Sequence, residues 1–445
     1  MADGSFGDEG DVNSSSRRAG WRARLDPETI ALLDADERYF LHQSLSTPCL
    51  DVLERAEGAV LVDVEGRRFL DFHGNSAHQV GHGHPRVVAA IKAELDRLPF
   101  SPRRYTNRPA IELARRLSEL APGRLAKVLL APSGAAAIGI ALKLARLATG
   151  RHKTLSMWGS FHGANLDTIA VGGEAMFRRG LGPMMPGAEH LPPLHLARRF
   201  FGDDRPFERF ADYIDYVLGI EGDVAALLAE PMRWTTVEPA PQGFWARVRD
   251  SCSRRGTLLI FDEIPSCLAR TGTMFASEQA GATPDILVIG KGLGGGIMPM
   301  AAVIADPDLD CGTQTALGHY THEKSPVGCA AALATLDVIE TEDLVRRASV
   351  LGAAGFERLN RLKAKHELVS DVRHQGCFFG VEIDAAAPDA AARADSVLYA
   401  SLGRGLSFKV GGGNVITLCP PLTISDGEFE DGLAILEAAL TEACA

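Results

Sequence analysis

The chain has 445 residues, more than one compact domain usually holds. Its hydrophobic share of 46% and charged share of 23% are those of an ordinary globular protein. The net charge of −11 argues against nucleic acid or an anionic membrane as the main partner, although local basic clusters can still bind a small anion.

The cysteines and the apolar runs narrow the class further. The 8 cysteines are scattered without a CxxC pair, which predicts reduced thiols and neither a disulfide framework nor a zinc site. No apolar run approaches the ~18 residues of a membrane span, and the first residues are acidic rather than apolar. We therefore expect a cytoplasmic protein that binds neither nucleic acid nor membrane.

The first segments of the chain are predicted as a tail and part of a small lobe. Residues 1–20 are mostly Gly, Ser and charged residues, and we expect a disordered tail. Residues 21–74 are assigned to the small lobe, and within them AVLVDVEGRRFLDF (59–72) predicts a hairpin that turns at Glu65-Gly66. The histidines of HGH (82–84) have no third ligand nearby in the sequence, so we assign no metal.

Residues 75–330 alternate short apolar runs with amphipathic helical segments and are assigned to a large domain. The runs are KVLLA (127–131), TLSMW (154–158), VAALLAE (224–230), TLLIFDE (257–263), DILVIGK (285–291) and MAAVIA (300–305). Short runs without polar alternation are typical of strands buried on both faces of a parallel sheet. The pattern predicts an α/β domain that binds ligands at the carboxyl edge of its strands. Residues 331–445 begin as a long helical stretch and are assigned to a C-terminal small α+β domain.

Lys291 stands in the glycine-rich run IGKGLGGG, directly after one of these apolar runs. A phosphate-binding P-loop needs GxxxxGK[ST], and this pattern fails because Gly292 follows the lysine. The run also contains GxGxxG, but a dinucleotide site should open a helix, and here another strand-like run follows. A lysine that reacts with a flat cofactor fits, since glycines permit close approach of the backbone. An ordinary surface lysine between glycines would look the same.

Asp262 ends the apolar run LLIFD, where burying a carboxylate is costly unless the carboxylate is paired. The protonated pyridine nitrogen of pyridoxal phosphate is one suitable partner. A structural ion pair with an arginine such as Arg270 is the alternative. The sequence around Asp262 alone is compatible with both.

Two further strand ends carry small or aromatic residues. Ser133, Gly134 and Ala135 follow KVLLA and open a helix, whose N–H groups can hold a phosphate. Small residues at such a junction also simply permit close packing. Phe161 and His162 follow TLSMW, and Phe161 can stack on a planar ring or belong to the core.

Together these residues resemble the class III (ornithine or omega-amino acid type) aminotransferases, a family of fold-type I pyridoxal phosphate enzymes. The resemblance runs from about residue 47 to the end. Its motifs are FLDFHGNSAHQVGHGHPRV, SGAAAIGIALKLAR, SFHG, AEP, LIFDEIPSCLARTG, ILVIGKGLGGGIMP and HYTHEKSPVGCAAA. The resemblance implies a large domain with a mostly parallel sheet, a small α+β domain and a homodimer with shared sites.

The same resemblance implies a pyridoxal 5'-phosphate site. Lys291 would form a Schiff base with the cofactor, and Asp262 would bind its pyridine nitrogen. The remaining cofactor contacts would come from Ser133, Gly134, Ala135, Phe161 and His162 and, from the partner subunit, Thr321.

Four features depart from the family pattern. Pro265 stands where the family has a glutamine, and Ala136 stands where it has a glutamate. The segment GHYTHEKSP is more polar than the family's GSTFGGNP. Thr417 stands where many members carry the arginine that clamps an α-carboxylate, and threonine cannot make that bidentate contact. The threonine at this position argues against ordinary α-amino acids as substrates.

Basic residues elsewhere suit a different anion. Arg103, Arg104 and Lys409 could bind a tetrahedral dianion, or the arginine pair could be a solvated basic loop. DEIP, GHYTHEKSP, RRYTN and LSFKVGGGN resemble a branch of the family with ammonia-lyase activity on 2-amino-1-hydroxyethylphosphonate, which implies conversion of this compound to phosphonoacetaldehyde and ammonia. The alternative is an aminotransferase that moves an amino group from a primary amine or omega-amino acid to a keto acid. Both reactions need Lys291 and Asp262, so the sequence leaves them open.

Overall fold

The computed structural model describes residues 15–44 and 46–443, which divide into two compact units. Unit 1 comprises the described residues up to His84, the short segment Thr235–Val237 and the described residues from Arg347 onward. Unit 2 comprises Pro85–Trp234 and Glu238–Arg346. The domain boundaries predicted at residues 75 and 331 stay predictions, while the units change at residues 85 and 347.

Helices and strands alternate through most of the described residues. The helices are α1 Ser16–Arg22, α2 Pro27–Tyr39, α3 Pro85–Arg97, α4 Arg108–Leu120, α5 Gly134–Thr149, α6 Leu166–Val171, α7 Ala197–Phe201, α8 Pro206–Glu221, α9 Phe244–Arg255, α10 Ser277–Ala280, α11 Pro326–Thr341, α12 Leu344–Lys365, α13 Ala390–Leu402 and α14 Asp426–Ala443. The strands are β1 Leu53–Glu57, β2 Val60–Asp63, β3 Arg68–Asp71, β4 Lys127–Ala131, β5 Lys153–Met157, β6 Ala188–Leu191, β7 Val224–Ala229, β8 Met232–Arg233, β9 Glu238–Pro239, β10 Leu258–Asp262, β11 Ile286–Ile289, β12 Ala301–Ala305, β13 Val369–His374, β14 Phe379–Ile383, β15 Leu406–Ser407, β16 Lys409–Gly411 and β17 Val415–Leu418. Among the described residues, no helix is both long enough and apolar enough to cross a membrane.

Unit 2 is built on a seven-stranded sheet with the strand order β4-β12-β11-β10-β7-β5-β6. Its strands are parallel except for β12, which is antiparallel to both of its neighbours. All of the apolar runs that predict buried strands form strands of this sheet, within one or two residues of the predicted limits. The prediction of an α/β domain with a mostly parallel sheet is therefore confirmed.

Burial explains why those runs carry no polar alternation. Every residue of β7, β11 and β12 is buried, so both faces of the central strands are covered. Helix α5 covers one face, and its many alanines let its backbone come close to the strands. The sequence of α5, GAAAIGIALKLARLAT, thus serves packing along most of its length, which leaves its first turn for chemistry.

Unit 1 contains two four-stranded sheets, with the orders β1-β2-β3-β15 and β13-β14-β17-β16. The predicted hairpin is confirmed, since β2 and β3 pair antiparallel and Gly66 turns between them with a φ of 81°. The second sheet is antiparallel throughout and combines with α12–α14 in an α+β arrangement, as predicted for the C-terminal domain.

The predicted disordered tail overlaps a helix. Residues 1–14 of that tail lie outside the described residues, whereas residues 16–20 belong to α1. The Ser15 side chain caps this helix, and Trp21 anchors its end by packing on Phe69 and donating to Asp51 at 3.2 Å. A buried tryptophan thus orders a stretch whose composition indicates disorder.

Candidate active site

Lys291 lies two residues past the end of β11, in a tight turn at the carboxyl end of the strand. Its φ of 46° is in the left-handed region, which a side chain other than glycine adopts only at a cost of about 1 kcal/mol or more. Its Nζ atom lies 3.8 Å from the centroid of the Trp234 ring, and that tryptophan is only 4% exposed. The amine therefore lies against a buried aromatic face, which distinguishes Lys291 from an ordinary surface lysine.

Asp262 ends β10, the strand that pairs with β11, and its side chain is buried. Its Oδ2 accepts a 2.8 Å hydrogen bond from Nδ1 of His162, and its Oδ1 accepts from the backbone N–H of Ile264 at 3.1 Å. The two adjacent parallel strands thus bring Asp262 and Lys291 to the same edge of the sheet, where ligands were expected.

The Asp262–His162 pair has hydrogen-bonding capacity left over. A carboxylate can accept about four hydrogen bonds, so Asp262 can take a further donor. The other ring nitrogen of His162, Nε2, is buried and has no hydrogen-bond partner within the described part of the chain. Burying a polar atom without a hydrogen-bond partner, as here at Nε2, costs free energy of folding. A buried pair with this open capacity fits a site that receives a polar ligand.

The first turn of α5 presents the backbone N–H groups that are predicted to bind a phosphate. The Ser133 side chain caps the helix by accepting from the N–H of Ala136 at 3.2 Å. The first N–H groups of a helix have no partner within it, and the helix dipole favours a negative charge there. A Cβ on Gly134 would come within 2.7 Å of Ile264, and one on Gly163 within 2.6 Å of the Ala135 side chain. Gly163 is therefore required, since its φ is 120° and the Ala135 backbone lies close, whereas at Gly134 only the end of the Ile264 side chain would have to move.

Phe161 lies in the loop that also carries His162. Its ring is half-buried and contacts the Phe177 ring, with a centroid separation of 4.6 Å and an angle of 45°. The structure thus places an aromatic ring next to the residue that binds Asp262. Its predicted stacking on a cofactor ring stays a prediction.

The other predicted ligand-binding residues lie in separate places. Arg103 is bound within unit 2, where its guanidinium pairs with the Glu323 carboxylate at 3.3 Å and contacts the His319 ring. Arg104 and Thr321 are exposed. Lys409 belongs to unit 1, where it starts β16 opposite Thr417. The roles predicted for Arg103, Arg104, Thr321 and Lys409 stay predictions.

The hydroxyl of Thr417, which is predicted to stand where many family members carry an arginine, makes a hydrogen bond within the fold. The threonine is 1% exposed on β17, and its hydroxyl donates a 2.7 Å hydrogen bond to the backbone carbonyl of Thr235. A threonine has one O–H donor, so none remains for a carboxylate. Pro265 is buried in the turn after β10, and Ala136 is buried in α5.

Trp234 is the residue of this site that sequence analysis missed. It follows the two-residue strand β8, in the loop of the β8–β9 hairpin. Its N–H donates to Oε2 of Glu230 at 3.1 Å, and Oε1 of the same carboxylate pairs with Arg233 at 2.6 Å. Arg233 also pairs with Glu174. The only signal in the sequence is that Trp234 closely follows the motif AEP.

A second aspartate–histidine cluster lies in unit 1. Oδ2 of Asp71 accepts from Nε2 of His82 at 2.8 Å and lies 3.7 Å from Nε2 of His78. Its Oδ1 accepts from the backbone N–H groups of His73 and Gly74 at 3.0 and 2.9 Å. Burial raises the pKa of the Asp71 carboxyl, but the hydrogen bond from His82, the charge of His78 and the two N–H groups together hold it well below its usual value. Sequence analysis considered only His82 and His84 here and missed both Asp71 and His78, which lie beside His82. The absence of a metal stays a prediction.

Comparisons with known proteins agree on one family. The family model "Aminotransferase class-III" matches residues 42–440. The chain is 44% identical to (R)-1-hydroxy-2-aminoethylphosphonate ammonia-lyase of Vibrio splendidus, over 99% of this chain and 96% of that protein. It is 35% identical to 5-aminovalerate aminotransferase of Pseudomonas aeruginosa, over 88% and 93% of the two chains. Among solved structures, an amine transaminase from an uncultivated Pseudomonas species in its PLP-bound form is 30% identical, with a TM-score of 0.84 over 91% and 99% of the chains.

Proposed function

Since the chain belongs to the class III aminotransferase family, we propose that it is a pyridoxal phosphate-dependent ammonia-lyase. Its proposed reaction converts 2-amino-1-hydroxyethylphosphonate to phosphonoacetaldehyde and ammonia. The observation that carries this proposal is the similarity to the Vibrio splendidus ammonia-lyase, which extends over almost the whole of both chains. The engagement of Thr417 with a backbone carbonyl supports a substrate without an α-carboxylate.

The residues at the strand ends of unit 2 fit pyridoxal phosphate. Asp262 is a buried carboxylate with capacity for another donor, as the pyridinium N–H requires. The first turn of α5 offers backbone N–H groups for the phosphate. Lys291 supplies the amine that holds the aldehyde carbon. When bound, the cofactor supplies an electron sink for a carbanion next to the amine nitrogen.

Each of these side chains has a distinct task in the proposed reaction. Asp262 holds the proton of the pyridine nitrogen, and His162 fixes Asp262 through the 2.8 Å hydrogen bond. The amine of Lys291 acts as the general base and accepts the proton from the substrate carbon that bears nitrogen. The electron pair of that C–H bond forms the new C=C bond, while the C–O bond breaks and its pair leaves with hydroxide. The released enamine takes up water and gives the aldehyde and ammonia.

Three finer statements belong to the same proposal. The substrate is anionic, and Arg103, Arg104 and Lys409 are the basic residues assigned to its phosphonate. The protein is a homodimer in which Thr321 reaches the phosphate of the partner subunit's cofactor. It acts in the cytoplasm. The exposure of Thr321 and Arg104 is compatible with contacts outside this chain.

The second candidate function is amino-group transfer to a keto acid. It is favoured by the 35% identity to an aminotransferase whose name specifies an omega-amino acid. Transfer needs the same Lys291 and Asp262. It would differ in which group next accepts the proton carried by Lys291, and it would need a keto acid to take up the amino group.

One assay distinguishes the two functions. Purified protein loaded with pyridoxal phosphate is incubated with each enantiomer of 2-amino-1-hydroxyethylphosphonate, with an aminoalkyl phosphate or with 5-aminovalerate, each with and without pyruvate. We expect ammonia from one enantiomer of the hydroxyphosphonate without pyruvate, and none from Lys291→Ala. Alanine formed only with pyruvate, together with no free ammonia, would overturn the lyase assignment and favour the aminotransferase.

A further inference from the structure

The contact between Trp234 and Lys291 has the geometry of a cation–π interaction. The 3.8 Å between Nζ and the ring centroid is well inside the limit of about 6 Å for such contacts. The face of an indole attracts an ammonium but gives no comparable attraction to a neutral amine. Trp234 is 4% exposed, so water screens this contact little. The tryptophan therefore favours the protonated form of the Lys291 amine.

Trp234 is held firmly in this position. Its backbone N–H donates to the Glu230 carboxylate, which is itself paired with Arg233. Arg233 pairs in addition with Glu174, so two carboxylates fix the residue that precedes the tryptophan. In the backbone register of the β8–β9 hairpin, Arg233 lies opposite Glu238. These contacts fix the backbone at Trp234, from which the indole reaches Lys291.

We propose that Trp234 is a positioning residue that directs the reaction to ammonia release rather than to amino-group transfer. This inference rests on the proposed function. After proton abstraction, Lys291 carries the proton that came from the substrate carbon. An ammonium that the indole stabilises is slower to return its proton to a carbon atom, which is the step that amino-group transfer requires. The departing hydroxide is a much stronger base and still accepts this proton, so it leaves as water and the amine is regenerated.

The first test measures the protonation of Lys291 in protein freed of cofactor. Lysines are labelled by reductive ¹³C-methylation, and the resonance of Lys291 is identified by its absence in Lys291→Ala. We expect the pH midpoint of this resonance to fall by about one unit in Trp234→Leu, and by less in Trp234→Phe, which keeps a weaker aromatic face. Tyr216→Leu, an exposed aromatic-to-leucine change on α8, should leave the midpoint unchanged.

The second test measures the outcome of turnover in cofactor-loaded protein with the hydroxyphosphonate. We expect the fraction of cofactor in the pyridoxamine form, measured by its absorption, to increase severalfold in the order unchanged protein, Trp234→Phe, Trp234→Leu. An unchanged midpoint and an unchanged pyridoxamine fraction in a folded Trp234→Leu would overturn the inference. If that variant does not fold, Trp234→Phe decides in the same way. Failure of the proposed function is recognised separately, because the unchanged protein would then release no ammonia.

Discussion

Two buried aspartates of this chain bind a histidine at the same distance, yet their surroundings differ. Asp262 in unit 2 and Asp71 in unit 1 each accept a 2.8 Å hydrogen bond from an imidazole nitrogen. Asp71 also accepts hydrogen bonds from two backbone N–H groups and lies near a second histidine, so both of its oxygens have donors nearby. Asp262 accepts one backbone N–H, and the far nitrogen of its histidine has no partner among the described residues.

The difference fits a structural role for Asp71 and the cofactor-binding role proposed for Asp262. A carboxylate that several groups of the fold already donate to stabilises that fold, as Asp71 does at the end of β3. A buried pair with unused capacity at the carboxyl edge of a parallel sheet is prepared for a ligand. A buried Asp–His pair is present in both places, so the pair alone does not distinguish Asp262 from Asp71. The two aspartates differ in how much hydrogen-bonding capacity is left for a ligand.

The largest expected effect is on catalysis, in Asp262→Asn. The variant keeps the size of the side chain but removes the charge that is proposed to bind the pyridine nitrogen. We expect ammonia release to fall by a factor of about 10²–10³, in line with the loss of one preorganised electrostatic contact. The melting temperature of the cofactor-free protein should change little. A large fall in melting temperature with activity retained would reverse the roles given to the two aspartates.

The matching change in unit 1, Asp71→Asn, should act on stability. An asparagine amide cannot accept from both the backbone N–H groups and the histidines at once, so one set is left without its partner. We expect the free energy of unfolding to fall by about 2–3 kcal/mol. Urea unfolding measured at pH 7 checks this value. The comparison variant is Asp63→Asn. Asp63 is a second buried carboxylate in unit 1 and binds Arg67 at 2.5 Å, but this partner is partly exposed.

The sequence predicts the two aspartates unequally, for physical reasons. Asp262 ends a run of buried strand residues and stands in a constellation with Lys291, so local pattern and family resemblance both identify it. Asp71 was part of the predicted hairpin but was not connected with the histidines, since their contact depends on how the loop after β3 folds back. Trp234 was missed for a similar reason. It follows a two-residue strand, which has no periodicity to detect, and its contact with Lys291 is tertiary.

His162→Phe tests whether the histidine acts through Asp262. Phenylalanine keeps a flat ring of similar width but cannot donate to the carboxylate. We expect ammonia release to fall by about tenfold, the equivalent of one hydrogen bond to a charged group. Affinity for pyridoxal phosphate, measured by titration of the cofactor-free protein, should weaken as well. In the comparison variant His82→Phe, catalysis should be retained and the melting temperature should fall.

The smallest effect concerns pH and isolates the charge of Asp71. Its pKa is lower in the folded protein than in the unfolded chain, so its stabilising contribution is complete above the unfolded value of about 4. That contribution is lost as the pH falls toward the folded value. His78 and His82 both face this carboxylate. The stability difference between unchanged protein and Asp71→Asn should therefore shrink by about 1 kcal/mol between pH 5 and pH 3. Urea unfolding of both proteins across this range measures the difference. A difference independent of pH would mean that Asp71 stabilises unit 1 through its shape and not through its charge.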